Sequence, residues 1–400
     1  MPFNPIPGTE QDDAIQTTTK NDRVSALGGN DLIIANSGSN HYDGGEGFDF
    51  VSYVQRTGAG TMAIQGAIIN YTTMTVNNPW GEQDVLIGVE AIKGSMLADT
   101  YHFLNDTVHQ FQIGQGFAGA DVFLAQPAAN VWLLYVGDAQ FGGKAGITVR
   151  LGAVSNVVGD IRGTIVDGFG DVDKVTNIHH VEGTAHADKF FGSILNDNFN
   201  GLAGADFYNG GGGTDFAYFD TFGGATQIAA IHVDLALNGG EIINDGLGNT
   251  ETATSIEGIR GSAMNDTLMG DAASNYLGGD DGADVLAGRG GADFFVYGLT
   301  SAGDGFGDTI LDFQSGSDKI VLTNLISGFA AGEAIRFSNS STAGSASRKC
   351  FFFDEASHKL FLDIDGANGS SGPVAIATLN GVTAMTAADI QVVDFQEFWG

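Results

Sequence analysis

Apolar side chains recur along this chain every nine residues, each flanked by polar or glycine positions. Ile15, Val24, Ile33, Tyr42 and Val51 form one series, Phe190, Phe199, Tyr208 and Ala217 a second, and Leu268, Leu277, Leu286 and Phe295 a third. Two residues before each stands an acid or amide: Asp13, Asp22, Asp31, Asn40 and Asp49, then Asp188, Asp197, Asp206 and Asp215, then Asp266, Asn275, Asp284 and Asp293. In the second and third series a glycine lies five residues before the polar residue, at Gly183, Gly192, Gly201 and Gly210 and at Gly261, Gly270, Gly279 and Gly288. This pattern predicts a tight turn and a short strand in every row. The glycine-rich half turns because its backbone angles favour residues without a Cβ. The other half is a strand whose central side chain points inward and whose neighbours point outward. Two rows make one coil of a flattened right-handed spiral, so equivalent positions stack at the inter-strand spacing of about 4.8 Å.

The row Gly44-Gly45-Glu46-Gly47-Phe48-Asp49-Phe50-Val51-Ser52 fits G-G-x-G-x-D-x-U-x in full. On these rows the sequence resembles the repeats-in-toxin (RTX) family of calcium-binding proteins. The resemblance implies that aspartates of adjacent coils share several Ca²⁺ ions with carbonyl oxygens of the glycine turns. The ligand positions it implies are Asp31, Asp49, Asp188, Asp197, Asp206, Asp215, Asp266, Asn275, Asp284 and Asp293, with turn glycines Gly44, Gly45, Gly47, Gly210, Gly211, Gly213, Gly279, Gly282, Gly288 and Gly291. The stacked partners would be Asp31 with Asp49, Asp188 with Asp206, Asp197 with Asp215, Asp266 with Asp284, and Asn275 with Asp293. Hard oxygen donors suit Ca²⁺ and not zinc or copper. The competing reading makes the aspartates turn residues only, but turn chemistry does not by itself stack uncompensated carboxylates in columns. The rows of Asp13 and Asp22 carry Gln11 and Lys20 where later rows carry glycine, and read as a capping end that keeps the fold without the metal.

The ladders are separated by stretches that themselves repeat. Val89-Glu90-Ala91-Ile92-Lys93-Gly94-Ser95 leads to Asp99, Ile178-His179-His180-Val181-Glu182-Gly183-Thr184 to Asp188, and Ile256-Glu257-Gly258-Ile259-Arg260-Gly261-Ser262 to Asp266. Upstream, Ile147–Leu151 and Ile231–Leu235 alternate as half-buried strands. RTX proteins share this arrangement of strand-rich insertions and re-entering strands. After Asp99 the register breaks at Val108 and returns at Asp121 and Asn130, so residues 99–132 are expected to be irregular and poor in metal. Gly307–Phe313 and Gly316–Leu322 resemble the cap of RTX rolls, and the alternating tail beyond resembles in place and composition the uncleaved export signal of type I secretion.

The predicted architecture is all-β: parallel β-roll (β-solenoid) segments of nonapeptide repeats, interrupted by strand-rich insertions and closed by a C-terminal β-rich cap. The segments fall at 1–52 (first ladder), 53–182 (insertions with a degenerate roll), 183–219 (second ladder), 220–260 (insertion), 261–300 (third ladder) and 301–400 (cap and secretion signal).

Charge narrows the partners. Acids outnumber Lys and Arg by 48 to 16, a net charge of −32, so neither nucleic acid nor an anionic membrane is a fitting partner. A hydrophobic content of 43% with 28 Phe excludes a disordered composition, leaving a folded protein that carries cations. Cys350 is the sole cysteine, so disulfides cannot staple the fold and metal can. The start has no Sec-type signal sequence, and no apolar run reaches the length of a membrane span.

No enzyme is expected. The repeats begin by Asp13, which leaves no room before them for a catalytic domain, and H-E-x-x-H and G-x-S-x-G are absent. His179, His180, Glu182 and His186 could supply a zinc site, but they occupy a linker strand whose alternation sends His179 and His180 to opposite faces. The favoured function is structural: a secreted, extracellular or cell-surface protein, folded by extracellular calcium, that associates with itself into a surface layer, filament or matrix. The alternative is a calcium-dependent adhesin or carbohydrate-binding module, with cell-surface polysaccharide as partner and Trp80, Trp132 and Tyr135 as first suspects. An enzyme within the insertions ranks last.

Overall fold

The computed structural model describes residues 2–54, 62–105, 112–157, 160–219, 229–298, 307–323, 335–339, 349–364 and 372–393. Val108 lies outside them. Two compact units, Met1–Gly204 and Ala205–Gly400, are described in turn.

Each unit is a β-solenoid of two facing, mainly parallel sheets. In the first unit, three-residue strands stack in register: Leu32–Ile34 pairs with Phe50–Ser52 in one sheet, and Arg23, Val24 and Ser25 pair with His41, Tyr42 and Asp43 in the other. The middle residue of each strand is the inward one. Ile15, Val24, Ile33, Tyr42 and Val51 are all buried, and they fill the space between the sheets as the period of nine predicts. The second unit repeats this with Leu268, Leu277, Leu286 and Phe295, each fully buried. Helix is nearly absent: the described residues hold one four-residue α-helix, Asp138–Phe141, and two 3₁₀ turns.

The insertions are one module used repeatedly. Ile68–Asn70, Thr75–Asn77 and Gln83–Ile87 form an antiparallel meander. Its last strand pairs in parallel with His41–Asp43 of the coil before, and its first with Thr100–Phe103 of the coil after. The meander therefore adds three rungs to one sheet while the other sheet continues directly, from Phe50–Ser52 to Ala91–Lys93. Thr148–Arg150, Gly163–Val166 and Val172–Thr176 do the same between Val122–Ala125 and Lys189–Phe191. His232–Asp234, Glu241–Asn244 and Glu251–Thr254 do it between Phe207–Asn209 and Thr267–Met269. A fourth meander, Cys350–Asp354, Lys359–Asp363 and Val374–Leu379, pairs with Asp308–Ile310 in the cap. Ile390–Val393 extends the opposite sheet by pairing with Lys319–Thr323.

Candidate metal centre

Many of the ladder carboxylates perform one structural task first. Oδ1 of Asp31 accepts the backbone N–H of Asp13, and Oδ1 of Asp49 that of Asp31, at 2.7 and 2.8 Å. In the second unit Asp266 bonds to Asp284 (2.7 Å), Asn275 to Asp293 (2.9 Å), Asp284 to Asp308 (2.8 Å) and Asp293 to Asp318 (3.1 Å) in the same way. The pairs Asp31/Asp49, Asp266/Asp284 and Asn275/Asp293 are thus brought together as the spacing implies. Asp188 and Asp197 lie in the first unit, Asp206 and Asp215 in the second.

Where a glycine stands five residues before a ladder position, it serves this carboxylate. A Cβ on Gly44 would fall on Asp49 Oδ2, on Gly210 on Asp215 Oδ2, on Gly279 on Asp284 Oδ2, and on Gly288 on Asp293 Oδ2. The residue is small to leave room for an oxygen.

The fourth residue before the ladder position divides the turns into two kinds. At Thr9, Thr18, Ser95, Thr184, Ser193 and Ser262 its backbone N–H donates to Oδ2 of Asp13, Asp22, Asp99, Asp188, Asp197 and Asp266, at 2.5–2.7 Å. Most of the hydroxyls add a second bond, as Ser95 does to Asp99 at 2.8 Å and Ser262 to Asp266 at 2.9 Å. These turns are closed, since the Oδ2 oxygen already has a protein donor. In the other kind the fourth residue is left-handed: Leu27 (φ 81°), Gly45 (102°), Phe117 (67°), Leu202 (63°), Gly211 (96°), Asp280 (65°) and Arg289 (67°). A second left-handed residue follows two positions on, always glycine: Gly29, Gly47, Gly119, Gly204, Gly213, Gly282 and Gly291. At four of these open turns Oδ2 of the ladder residue, Asp31, Asp49, Asp121 or Asp284, is buried and accepts no hydrogen bond.

A buried acceptor-only oxygen without a donor is costly unless it is protonated or meets a cation. Burial accordingly raises the Asp49 carboxyl to about 6 and that of Asp293 to about 6. Burial, with the Asp308 charge beside it, raises Asp284 to about 9. Among the described residues no three acidic, histidine or cysteine side chains converge on one point. A cation here would take carboxylates in ones and twos and complete its shell with carbonyl oxygens and water, which is calcium chemistry and not zinc chemistry. The residues present fit Ca²⁺ at the open turns.

Amides show what happens without a cation. Nδ2 of Asn40 donates to the carbonyls of Asn36 and Gly38 of its own turn, at 3.2 and 3.1 Å. Asn275 has its Oδ1 bound by the N–H of Asp271 at 2.8 Å, so its turn is closed.

The histidine cluster disperses. His179 Nδ1 pairs with Asp197 Oδ1 at 2.7 Å. His180 stacks on Trp132, with ring centroids 5.0 Å apart, and bonds through Nδ1 to Asn198; burial lowers it to about 3. Of the three aromatics named above, Tyr135 is buried with its hydroxyl on Asp173, and Trp80 and Trp132 are half-buried.

Several ladder carboxylates lie outside the period of nine. Glu90 and Glu257 accept the N–H of Asp49 and Asp215, at 2.9 and 3.0 Å. The repeated Glu of the re-entering strands was their sequence signal. Asp84 and Asp173 accept the N–H of Asn40 and Asp121 in the meanders. Asp121, where the register returns, sits in Gly116-Phe117-Ala118-Gly119-Ala120-Asp121, an open turn within the stretch expected to be irregular and poor in metal.

Two families match this chain. The RTX calcium-binding nonapeptide repeat (4 copies) matches residues 8–51 and 182–217. The Peptidase M10 serralysin C terminal matches residues 209–392. No curated protein matches in sequence. Among solved structures, the extracellular lipase LipA from Serratia marcescens aligns over 98% of this chain at 12% identity and a TM-score of 0.19, a likeness too small to argue from; the chain spans 40% of the length of that structure.

Proposed function

We propose that this secreted calcium-binding β-roll protein, a carrier of RTX nonapeptide repeats and a C-terminal region of the serralysin kind, is a non-catalytic structural scaffold. It leaves the cell by type I secretion, folds on extracellular calcium, and associates with itself into a surface layer, filament or matrix at the cell surface. The observation that carries the reading is the set of buried, stacked carboxylates whose outer oxygens accept no protein hydrogen bond, at Asp31, Asp49, Asp121 and Asp284. Extracellular calcium modules bind at about 10⁻⁴–10⁻³ M, so the metal itself distinguishes outside from inside. Metal binding and folding are then one equilibrium.

The test is a calcium titration of the chain in EGTA, followed by circular dichroism and light scattering together. The scaffold reading expects a cooperative gain of β-structure and then large regular particles. Folding that ends at a monomer removes the assembly. A fold that is complete in EGTA and indifferent to calcium removes the metal.

One observation favours the second reading, a binding module. A cleft of about 220 Å³ in the first unit is lined by Asn70, His102, Gln126, Asn156 and Asn177, among others, and by no carboxylate. In a chain of net charge −32, a neutral amide-rich cleft suits an uncharged polar ligand such as a glycan. A ligand-dependent rise in melting temperature of a calcium-loaded monomer supports this reading.

A further inference from the structure

The three insertion hairpins end in the same turn, and only the second leaves an oxygen of the turn residue itself unanswered. In the first, Oδ1 of Asn78 accepts the N–H groups of Trp80 and Glu82, at 3.2 and 2.9 Å. In the second, Oδ1 of Asp167 accepts those of Phe169 and Asp171, at 2.9 and 2.8 Å. In the third, Oδ1 of Asp245 accepts those of Leu247 and Asn249, both at 2.8 Å. Six residues on stand Asp84, Asp173 and Glu251. The first two are held alike: Oδ1 takes a ladder N–H and Oδ2 a tyrosine hydroxyl, Tyr53 at 3.0 Å for Asp84 and Tyr135 at 2.8 Å for Asp173.

The hairpins differ at the remaining atom of the turn residue. Nδ2 of Asn78 donates to the Gly38 carbonyl at 2.9 Å and to the Asp84 carboxylate at 3.3 Å. Oδ2 of Asp245 accepts Nδ2 of Asn249 at 2.9 Å. Oδ2 of Asp167 is buried and accepts nothing. The second module thus has an acceptor where the first has a donor, beside a carboxylate in both. A group from outside the meander increases the mismatch. Asp138, the first residue of the short helix, accepts the N–H of Gly168 through Oδ2 at 3.0 Å, while its Oδ1 is likewise buried and without a donor. No Lys or Arg pairs with Asp138 or Asp167 among the described ion pairs. The Ala145 carbonyl lies on the same side, 3.2 Å from where a Cβ on Gly168 would stand.

We propose that Asp138 and Asp167 hold one further Ca²⁺ ion, off the nonapeptide ladder and inside the second insertion. Each carboxylate has one oxygen fixed by backbone N–H groups and presents the other. The donors are oxygen alone, which selects calcium over zinc. The remaining ligands are carbonyl oxygen and water, as expected where fewer than three charged side chains converge. The ion does for the second hairpin what the Asn78 amide does for the first. The site lies outside both matched regions, which end at residue 51 and resume at 182.

Native mass spectrometry of the full chain with Ca²⁺ as the sole added metal reads the number of ions directly. Asp167→Asn restores the donor of the first hairpin, so this variant is expected to fold and to carry one Ca²⁺ fewer than the parent. Asp138→Asn is expected to lose the same single ion, and the double variant no more than one. Asp245→Asn, at a turn already satisfied, keeps the parental number. An unchanged ion count in both Asp167→Asn and Asp138→Asn, with circular dichroism showing a folded roll, overturns the proposal and leaves the pair as protonated acids. Because the ladder ions remain in these variants, failure here is separate from failure of the calcium-folded scaffold, in which no ions would be counted at all.

Discussion

The backbone N–H of Asp31 donates to Oδ1 of Asp49 at 2.8 Å, and the two residues stand at the same place in successive coils. One oxygen of Asp49 therefore holds the coils together while the other is left for a cation. Asparagine can do the first task but not the second, as Asn40 shows by turning its Nδ2 onto the carbonyls of Asn36 and Gly38. Asp49→Asn is expected to keep the roll and lose calcium at its turn. Asp49→Ala loses both and costs about 1–3 kcal/mol for the unpaired N–H. Isothermal titration with calcium and urea denaturation at saturating calcium separate the two effects.

Closed turns make the opposite prediction. Ser262 bonds Asp266 through both its N–H and its hydroxyl, and the hydroxyl also caps the N–H of Met264 at 3.2 Å. Ser262→Ala is expected to cost about 1 kcal/mol, the usual value for losing such a cap, with no change in the number of bound ions. A shift in the urea midpoint at constant calcium stoichiometry is the expected result.

The period of nine shows which residues are inward, because each strand is only three residues long and has one inward position. It does not show which turns take metal. The same Asp stands in both kinds, and the difference lies in the residue four before it: a hydroxyl at Ser262 or Thr184, a left-handed residue at Leu27 or Gly45. That signal is present in the sequence, and the Gln11 and Lys20 rows already displayed part of it. The reversed meanders were not legible. Stretches such as Ile147–Leu151 and Ile231–Leu235 are visible as alternation, but the backward order of each meander is set by pairing with coils on either side. Asp121 was legible as a return of the register, but not as an open turn. Its Oδ1 accepts the N–H of Asp99 across 22 residues instead of the 18 that the repeat leads one to look for.

Acidity is expected to replace calcium in part. Burial raises the carboxyls of Asp49 to about 6, Asp308 to about 7 and Asp284 to about 9, against about 3.9 in an unfolded chain. A carboxyl raised on folding binds its proton more tightly in the folded state. The stability it contributes is present in acid and is lost as pH rises from about 4 through the folded value. The calcium-free roll should therefore be more stable at pH 5 than at pH 8. Calcium binding at pH 7 should release protons, chiefly from the Asp284 and Asp308 pair. Thermal melts in EGTA across this range, and the buffer dependence of the binding heat, check both signs.

The glycine five residues before the ladder position offers a steric test. A Cβ on Gly279 would fall on Asp284 Oδ2, whereas one on Gly372 meets nothing within 4 Å. Gly279→Ala must push aside a carboxylate that bonds the Asp266 N–H. It is expected to cost about 1–3 kcal/mol, as overpacking does, and to weaken calcium binding at that turn. Gly372→Ala is the matched control and should leave both unchanged. Urea denaturation with and without calcium reads the pair.

The first strand bears on how the proposed scaffold would assemble. Asn4–Thr9 pairs in parallel with Asp22–Leu27, and the N–H of Asn4 donates to the Asn21 carbonyl, so the backbone groups of Asn4 and Ile6 face the next coil. Alternation along the strand then turns those of Pro5 and Pro7 away from it. Both outward residues lack an N–H, which is one of the ways natural sheets keep an edge from pairing with another chain. If the protein associates with itself as proposed, it is expected to use surfaces other than the outer side of this strand. Replacing both prolines, Pro5→Val with Pro7→Val, returns two outward donors and a strand-forming side chain at each position. This variant is expected to gain an additional, concentration-dependent association in calcium, resolved by sedimentation velocity as species absent from the parent. If the parent polymerises and the double variant polymerises no differently, the edge takes no part in either state. If the variant instead loses the parental polymer, the prolines are themselves part of the contact, and the N-terminal coil is an assembly surface and not a cap.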